Sequence, residues 1–136
     1  MAAVVALDVG TKTIGVAACD PLRISVRPVR TLKRKGVKSD AVALARVIEE
    51  LGSEVIVVGL PLELDGTEAR SARLARQIGA AIGEKTGLPV QYCDERYSSV
   101  DAERELIEAN VSRARRKEVI DQAAAMVILR AWLRLQ

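Results

Sequence analysis

Three carboxylates stand where they could share a metal ion. Asp8 closes the apolar run from Val4, Glu95 with Asp94 follows a short run from Pro89 to Cys93, and Asp121 lies in an alanine-rich segment that reads as helix. In open α/β sheets the carboxyl ends of strands are the edge where ligands bind. Hard cations such as Mg²⁺ and Mn²⁺ take oxygen ligands, and a carboxylate cluster without imidazole suits them. Two such ions can activate water and stabilise the leaving oxygen of a phosphodiester. The chain has no histidine, which removes Ser/His and Cys/His nucleophiles and His-ligated metals. Taken singly, Asp8 also reads as a turn residue and Asp121 as a solvated helix aspartate. Grouped at one edge, the three read as a metal centre.

The charge pattern suggests the substrate. Between Asp20 and Asp40 the chain carries Arg23, Arg27, Arg30, Lys33, Arg34, Lys35 and Lys38 and no acid. A second cluster, Arg113, Arg115, Arg116 and Lys117, ends four residues before Asp121. Such runs are usually solvated faces, but two of them bordering a carboxylate edge form a track for a polyanion, which points to nucleic acid. With 2% aromatic residues and no Phe, the composition leaves few rings for stacking single-stranded bases.

The elements that must position these residues follow from hydrophobic spacing. At 136 residues, 49% apolar and 29% charged, with 21 basic against 18 acidic residues, the composition is that of one globular domain over residues 1–136. Val4 to Asp8 and Ile14 to Cys19 read as a hairpin, and Ile24 to Leu32 as a third strand that Pro28 marks as an edge or a bulge. Apolar residues at helical spacing then run from an N-cap at Ser39 or Asp40 to Leu51, with Gly52 as C-cap. Val55 to Leu60 has the continuous apolarity of a central strand. A helix from about Thr67 precedes Gly87 and the strand ending at Cys93. Helix is expected from about Ser98, and again from about Ser112 to the end. The order βββαβαβα predicts one mixed sheet with helices on both faces, and the small residues after Asp121 would let the last helix approach that sheet closely.

Four segments, LDVGTKTIGVAACD at 7 to 20, VVGLPLELDGTEARSARLA at 57 to 75, YCDERYSS at 92 to 99 and IDQAAAMVILRAWL at 120 to 133, resemble the YqgF/RuvX family of ribonuclease-H-like nucleases. That family is linked to pre-16S rRNA processing and to Holliday junction resolution. The resemblance implies an α/β fold, ribonuclease-H-like, with a five-stranded mixed sheet, and metal-binding carboxylates at Asp8, Glu95 and Asp121. It implies that Gly59, Pro61, Asp65 and Gly66 belong to a loop beside the active site. Arg96 of the DER motif is then a phosphate contact or a structural ion pair, and Lys12 a phosphate contact or a hairpin-tip lysine. Glu63 and Asp65 read as turn residues before they read as further ligands. Where the family often has Arg after the first-motif Lys, this chain has Thr13, and Cys19 replaces a usual Ser.

The expected activity is therefore a Mg²⁺- or Mn²⁺-dependent endonuclease acting on precursor 16S rRNA, with Holliday junction resolution as the alternative, which would need a homodimer. A non-catalytic RNA-binding scaffold is a third reading. An ATP-binding module, suggested by the DVGTK turn, needs a second lobe that one domain does not supply. Cys19 and Cys93, without a CxxC pair or leader, point to a reducing, cytoplasmic setting. No uncharged stretch approaches the roughly 20 residues of a membrane span. Trp132 and Leu133 read as core closure before a dimer contact.

Overall fold

Val4–Val9 (β1) and Thr13–Cys19 (β2) are buried almost throughout and pair as an antiparallel hairpin, whose tip is closed by the Gly10 N–H donating to the Thr13 carbonyl at 2.8 Å. The computed structural model describes residues 3–62, 70–94 and 116–136, with side chains in the last segment described from Asp121 onward. Val26–Lys33 (β3) lines β2 on its outer side, where Pro28 and Arg30 face Ala17 and Val16 across a register shift that leaves Val29 extra. Proline is thus both on an edge strand and at a bulge, the two places where its missing N–H costs no ladder bond.

Val55–Leu60 (β4) pairs in parallel with β1, and Val90–Asp94 (β5) in parallel with β4, giving the order β3-β2-β1-β4-β5. Strand alternation divides the core in two. Val5, Leu7, Val9, Ile14, Val16, Ile56, Val58 and Leu60 pack under Val37–Leu51 (α1) and Arg70–Thr86 (α2), which contribute Leu44, Val47, Ile48, Ala72, Ala75, Ile78 and Ile82. On the other face, Val4, Ala6, Cys19, Val57 and Cys93 meet Ala124, Val127, Ile128, Ala131 and Trp132 of Arg116–Arg134 (α3). Trp132 closes that core, and its indole N–H donates to Gln91 Oε1 at 3.0 Å. The helix expected from Ser98 and the start expected at Thr67 lie outside the described residues. No helix among them is long and apolar enough to cross a membrane.

The start of α1 differs from expectation. It begins at Val37 with Gly36 as N-cap, because Asp40 is committed elsewhere: Oδ1 accepts the Lys35 N–H at 2.9 Å and Oδ2 accepts Arg34 Nε at 2.7 Å. The C-terminus ends as expected, with Gly52 left-handed at φ 64 and the Ser53 N–H returning to the Ile48 carbonyl, a Schellman closure. The Arg34 and Asp40 side chains are 11% and 4% exposed. Arg34 also donates from Nη1 to the Gly10 carbonyl at 2.9 Å, and its backbone N–H donates to the Lys12 carbonyl at 2.8 Å. One guanidinium thereby ties the β1–β2 tip to the head of α1.

The last helix docks by a close approach. Gly15, in the middle of β2, faces α3, and a Cβ built there would overlap the carbonyl oxygen of Asp121. Only glycine accommodates the helix backbone at that height.

Two stability measurements test these constraints. Asp40→Ala strands a nearly buried guanidinium, so urea unfolding should show a loss of about 3–5 kcal/mol, and Arg34→Met combined with Asp40→Leu should cost less than the two single changes added. Gly15→Ala should destabilise by about 1–3 kcal/mol and lower Tm by several degrees in a thermal melt, because the obstructing atom belongs to a helix backbone.

Candidate active site

The carboxyl ends of β1, β4 and β5 lie side by side, with Leu7 opposite Val58 and Leu60 opposite Asp94. Asp8 is at this edge. Its neighbours Leu7 and Val9 point into the α1/α2 core, whereas Val4 and Ala6 point toward α3, so alternation places the Asp8 side chain on the α3 side. Asp8 pairs directly with Gly15, and residues opposite in an antiparallel ladder share a face about 4.5–5.5 Å apart. Because the backbone of Asp121 sits on Gly15, Asp8 and Asp121 are brought to one spot by the glycine between them.

Asp121 is held there by two neighbouring bonds. Thr13 Oγ1 donates to Asp121 Oδ2 at 2.6 Å, and Gln122 Nε2 donates to Thr31 Oγ1 on β3 at 3.3 Å. Thr31 is itself the ladder partner of Gly15. Asp8, Asp121 and Thr13 are all half-buried. A carboxylate offers about four acceptor positions, and one hydroxyl bond leaves Asp121 able to ligate a cation. Oxygen donors alone, with no imidazole in the chain, fit Mg²⁺ or Mn²⁺.

Among the described residues no group of three metal-ligating side chains comes together; the expected third ligand, Glu95, lies outside them, as do Arg96, Glu63 and Asp65. Asp94 does not join Asp8. Cys93 belongs to the α3 core and Tyr92 packs on the α1/α2 core, so the next alternation sends Asp94 to the α1/α2 side.

The basic run divides along the height of the sheet. Lys12 is exposed at the hairpin tip, and Lys33 is exposed at the end of β3, paired with Thr13 and therefore on the face of Asp121. Arg30 and Arg27 are exposed lower down, opposite Val16 and Ala18. Arg23 lies at the opposite end, with its guanidinium 5.4 Å from the centre of the Trp132 ring. From the Asp8–Gly15 pair to the Val4–Cys19 pair is four residues, a rise of about 13 Å. Arg34 departs from the exposed track expected of it, since Asp40 and Gly10 engage its guanidinium inside the turn. Lys35 is exposed. Arg113 and Arg115 lie outside the described residues; Arg116 and Lys117 fall in the first turn of α3, with side chains outside the description.

Two groups at the far end of the sheet have shifted proton affinities with structural causes. The Ser25 and Ile24 N–H groups hold the Asp20 carboxyl below its ordinary value while shaping the β2–β3 loop, where Arg23 adopts φ 59. Burial pushes the Cys19 thiol up, which leaves it a packing residue rather than a nucleophile.

Sequence reasoning missed Thr13, Gly15 and Gln122. The signal for Gly15 was present: an isolated glycine inside a strand pattern marks a close backbone approach.

The chain resembles known proteins in sequence and in fold. A family model described as "RuvX: Holliday junction resolvase" matches residues 2–135. A Myxococcus xanthus protein named "Putative pre-16S rRNA nuclease" is 47% identical over 127 residues, covering 93% of this chain and 84% of its own length. A relative of the same name from Moorella thermoacetica is 42% identical over 130 residues, covering 96% and 93%. Among solved structures, T. thermophilus RuvC in complex with Holliday junction substrate matches with TM-score 0.62 at 14% identity, covering 99% of this chain and 96% of that one. The fowlpox virus Holliday junction resolvase matches with TM-score 0.56 at 13% identity over 98% and 99%. At such identities these two establish a shared fold, the five-stranded mixed sheet with helices on both faces. With a family match over nearly its whole length and relatives above 40% identity, the chain belongs to the RuvX family.

Proposed function

We propose that this chain is a divalent-metal-dependent endonuclease that hydrolyses nucleic-acid phosphodiesters, with residues 1–136 working as one nuclease domain. The observation that carries the reading is the convergence of Asp8 and Asp121 over Gly15. Asp8 and Asp121, with Glu95 from outside the described residues, would hold Mg²⁺ or Mn²⁺. Bound there, the ions would supply the activation of water and the stabilisation of the leaving oxygen. The protein's own part is placement. Asp8 rides a strand packed on both faces, and Asp121 rides a helix seated on glycine, so both carboxylates keep their positions when substrate arrives.

Lys33 and Lys12 draw the phosphate backbone to this edge, with Arg27, Arg30 and Lys35 as outlying contacts and Arg96, Arg113, Arg115, Arg116 and Lys117 completing the set. Arg23 and Arg34 are left out, because Trp132 engages one and Asp40 the other. With one Trp, two Tyr and no Phe, recognition rests on backbone charge and substrate shape, with weak sequence preference. We favour precursor 16S rRNA, for which the relatives are named. Cys19 and Cys93, both buried and not joined in a disulfide, suit a reducing cytoplasm. Junction resolution, the activity in the family's description, would require two such centres in a dimer, because one centre cuts one strand at a time.

The test is a cleavage assay on precursor rRNA, single-stranded RNA, duplex DNA and a four-way DNA junction, with each metal and with chelator. Metal-dependent cutting of the RNA is expected. Paired nicks in the junction alone, from a stable dimer, would transfer the reading to resolution, and binding without cutting would make the protein a scaffold.

Asp8→Asn and Asp121→Asn should each lower cleavage by orders of magnitude while leaving the far-UV spectrum and most RNA affinity intact; wild-type rates in either would refute the metal centre. Lys33→Gln should weaken binding to all sequences alike and make the dependence of log affinity on log salt shallower by about 0.7–0.9. An unchanged slope would assign Lys33 to the solvated rim.

A further inference from the structure

We infer that Thr13 is a positioning residue for the metal centre, acting through its hydroxyl to fix the rotation of the Asp121 carboxylate. The inference rests on the metal-dependent reading above and adds a residue that neither ligates nor touches substrate.

The argument separates where Asp121 is from how its carboxylate is turned. Its place is set without Thr13. The helix backbone is seated on Gly15, Gln122 bonds Thr31, and Ala124, Val127 and Ile128 bury the following turns. None of these contacts restricts the last torsion of an aspartate, which is broad and roughly two-fold when left to itself. The Thr13 hydroxyl does restrict it. Its 2.6 Å bond to Oδ2 has the length of a hydroxyl donating to a carboxylate, about 2.5–2.7 Å. The donor is itself stiff, because Thr13 is β-branched and sits in a strand between Gly10 and Lys33. One oxygen is thereby assigned to the protein, and the remaining acceptor positions keep one direction. Partners that orient a ligand in this way typically account for 10–100-fold in metal affinity.

The test compares Thr13→Val, which keeps shape and loses the donor, with Thr13→Ser, which keeps the donor. Mn²⁺ binding to the full chain is measured by calorimetry without nucleic acid, alongside the metal-free melting temperature. Thr13→Val should melt within a few degrees of wild type yet bind Mn²⁺ roughly 10–100-fold more weakly, and Thr13→Ser should bind within about threefold of wild type, as expected if orientation is the role. Equal Mn²⁺ affinity in Thr13→Val and wild type overturns the inference and leaves the metal centre standing. A Thr13→Ser protein as weak as Thr13→Val assigns the effect to the methyl group and also overturns it, as does a Thr13→Val protein that fails to fold. No Mn²⁺ binding by wild type removes the metal reading itself, and this inference with it.

Discussion

The contact between the Asp121 backbone and Gly15 is the constraint on which the site depends. A helix crossing a sheet ordinarily stands off by the thickness of the close-packed side chains between them. At Gly15 that spacer is missing, and the helix carbonyl occupies the space a methyl group would fill. The consequence is electrostatic as much as steric. Two aspartates on different elements are brought to one level of the sheet, although like charges repel and nothing in the hydrophobic core favours their meeting. Packing energy from Ala124, Val127, Ile128 and Trp132 holds the arrangement, and a divalent cation is the species that would relieve the repulsion.

On the opposite side of the same hairpin a second polar contact keeps the tip still. Arg34 bonds the Gly10 and Lys12 carbonyls at one end and Asp40 at the other. A nearly buried ion pair recovers its desolvation only when its remaining donors and acceptors are satisfied. Here the Lys35 N–H and the Gly10 carbonyl meet that condition. The pair adds little to stability compared with an apolar replacement, but it orders the short turn from which Thr13 and Asp8 project in adjoining strands. The hairpin is thus held by α3 on one face and by the head of α1 at its tip.

Much of this was readable from the residues. Five strands, their mixed sheet, the helices on both faces and the edge position of the strand with Pro28 follow from hydrophobic period and turn chemistry, which are local. The strand-end place of Asp8 and the close approach of the helix carrying Asp121 followed from an apolar run and a run of small residues. Part of what escaped depended on partners far away in the chain. The bond from Thr13 to Asp121 joins residues 108 apart; the start of α1 was displaced instead by a near neighbour, the salt bridge of Asp40 with Arg34 six residues before it, which no capping rule anticipates. The face of Asp94 could not be read until Cys93 and Tyr92 showed which face each alternate residue of β5 takes. In β3 the bulge at Val29 shifts the register, so the faces of its basic residues cannot be counted from sequence.

Those basic residues have a structural reason to exist apart from any ligand. β3 is an outer strand, and an outer strand with free backbone groups pairs readily with other chains unless charge, proline or a bulge prevents it. Arg27, Pro28, Arg30 and Lys33 with the bulge at Val29 supply all three. Charge on this strand alone therefore says little about nucleic acid. Position says more. Lys33 shares a ladder rung with Thr13, whose hydroxyl holds Asp121, whereas Arg23 is folded onto Trp132 at the far end of the sheet. A polyanion attracted to the whole strand would meet carboxylates at one end only, and there its phosphates would face acids that repel them unless a cation intervenes. The edge thus makes attraction and repulsion meet, and a divalent ion held as proposed by Asp8 and Asp121 would satisfy both.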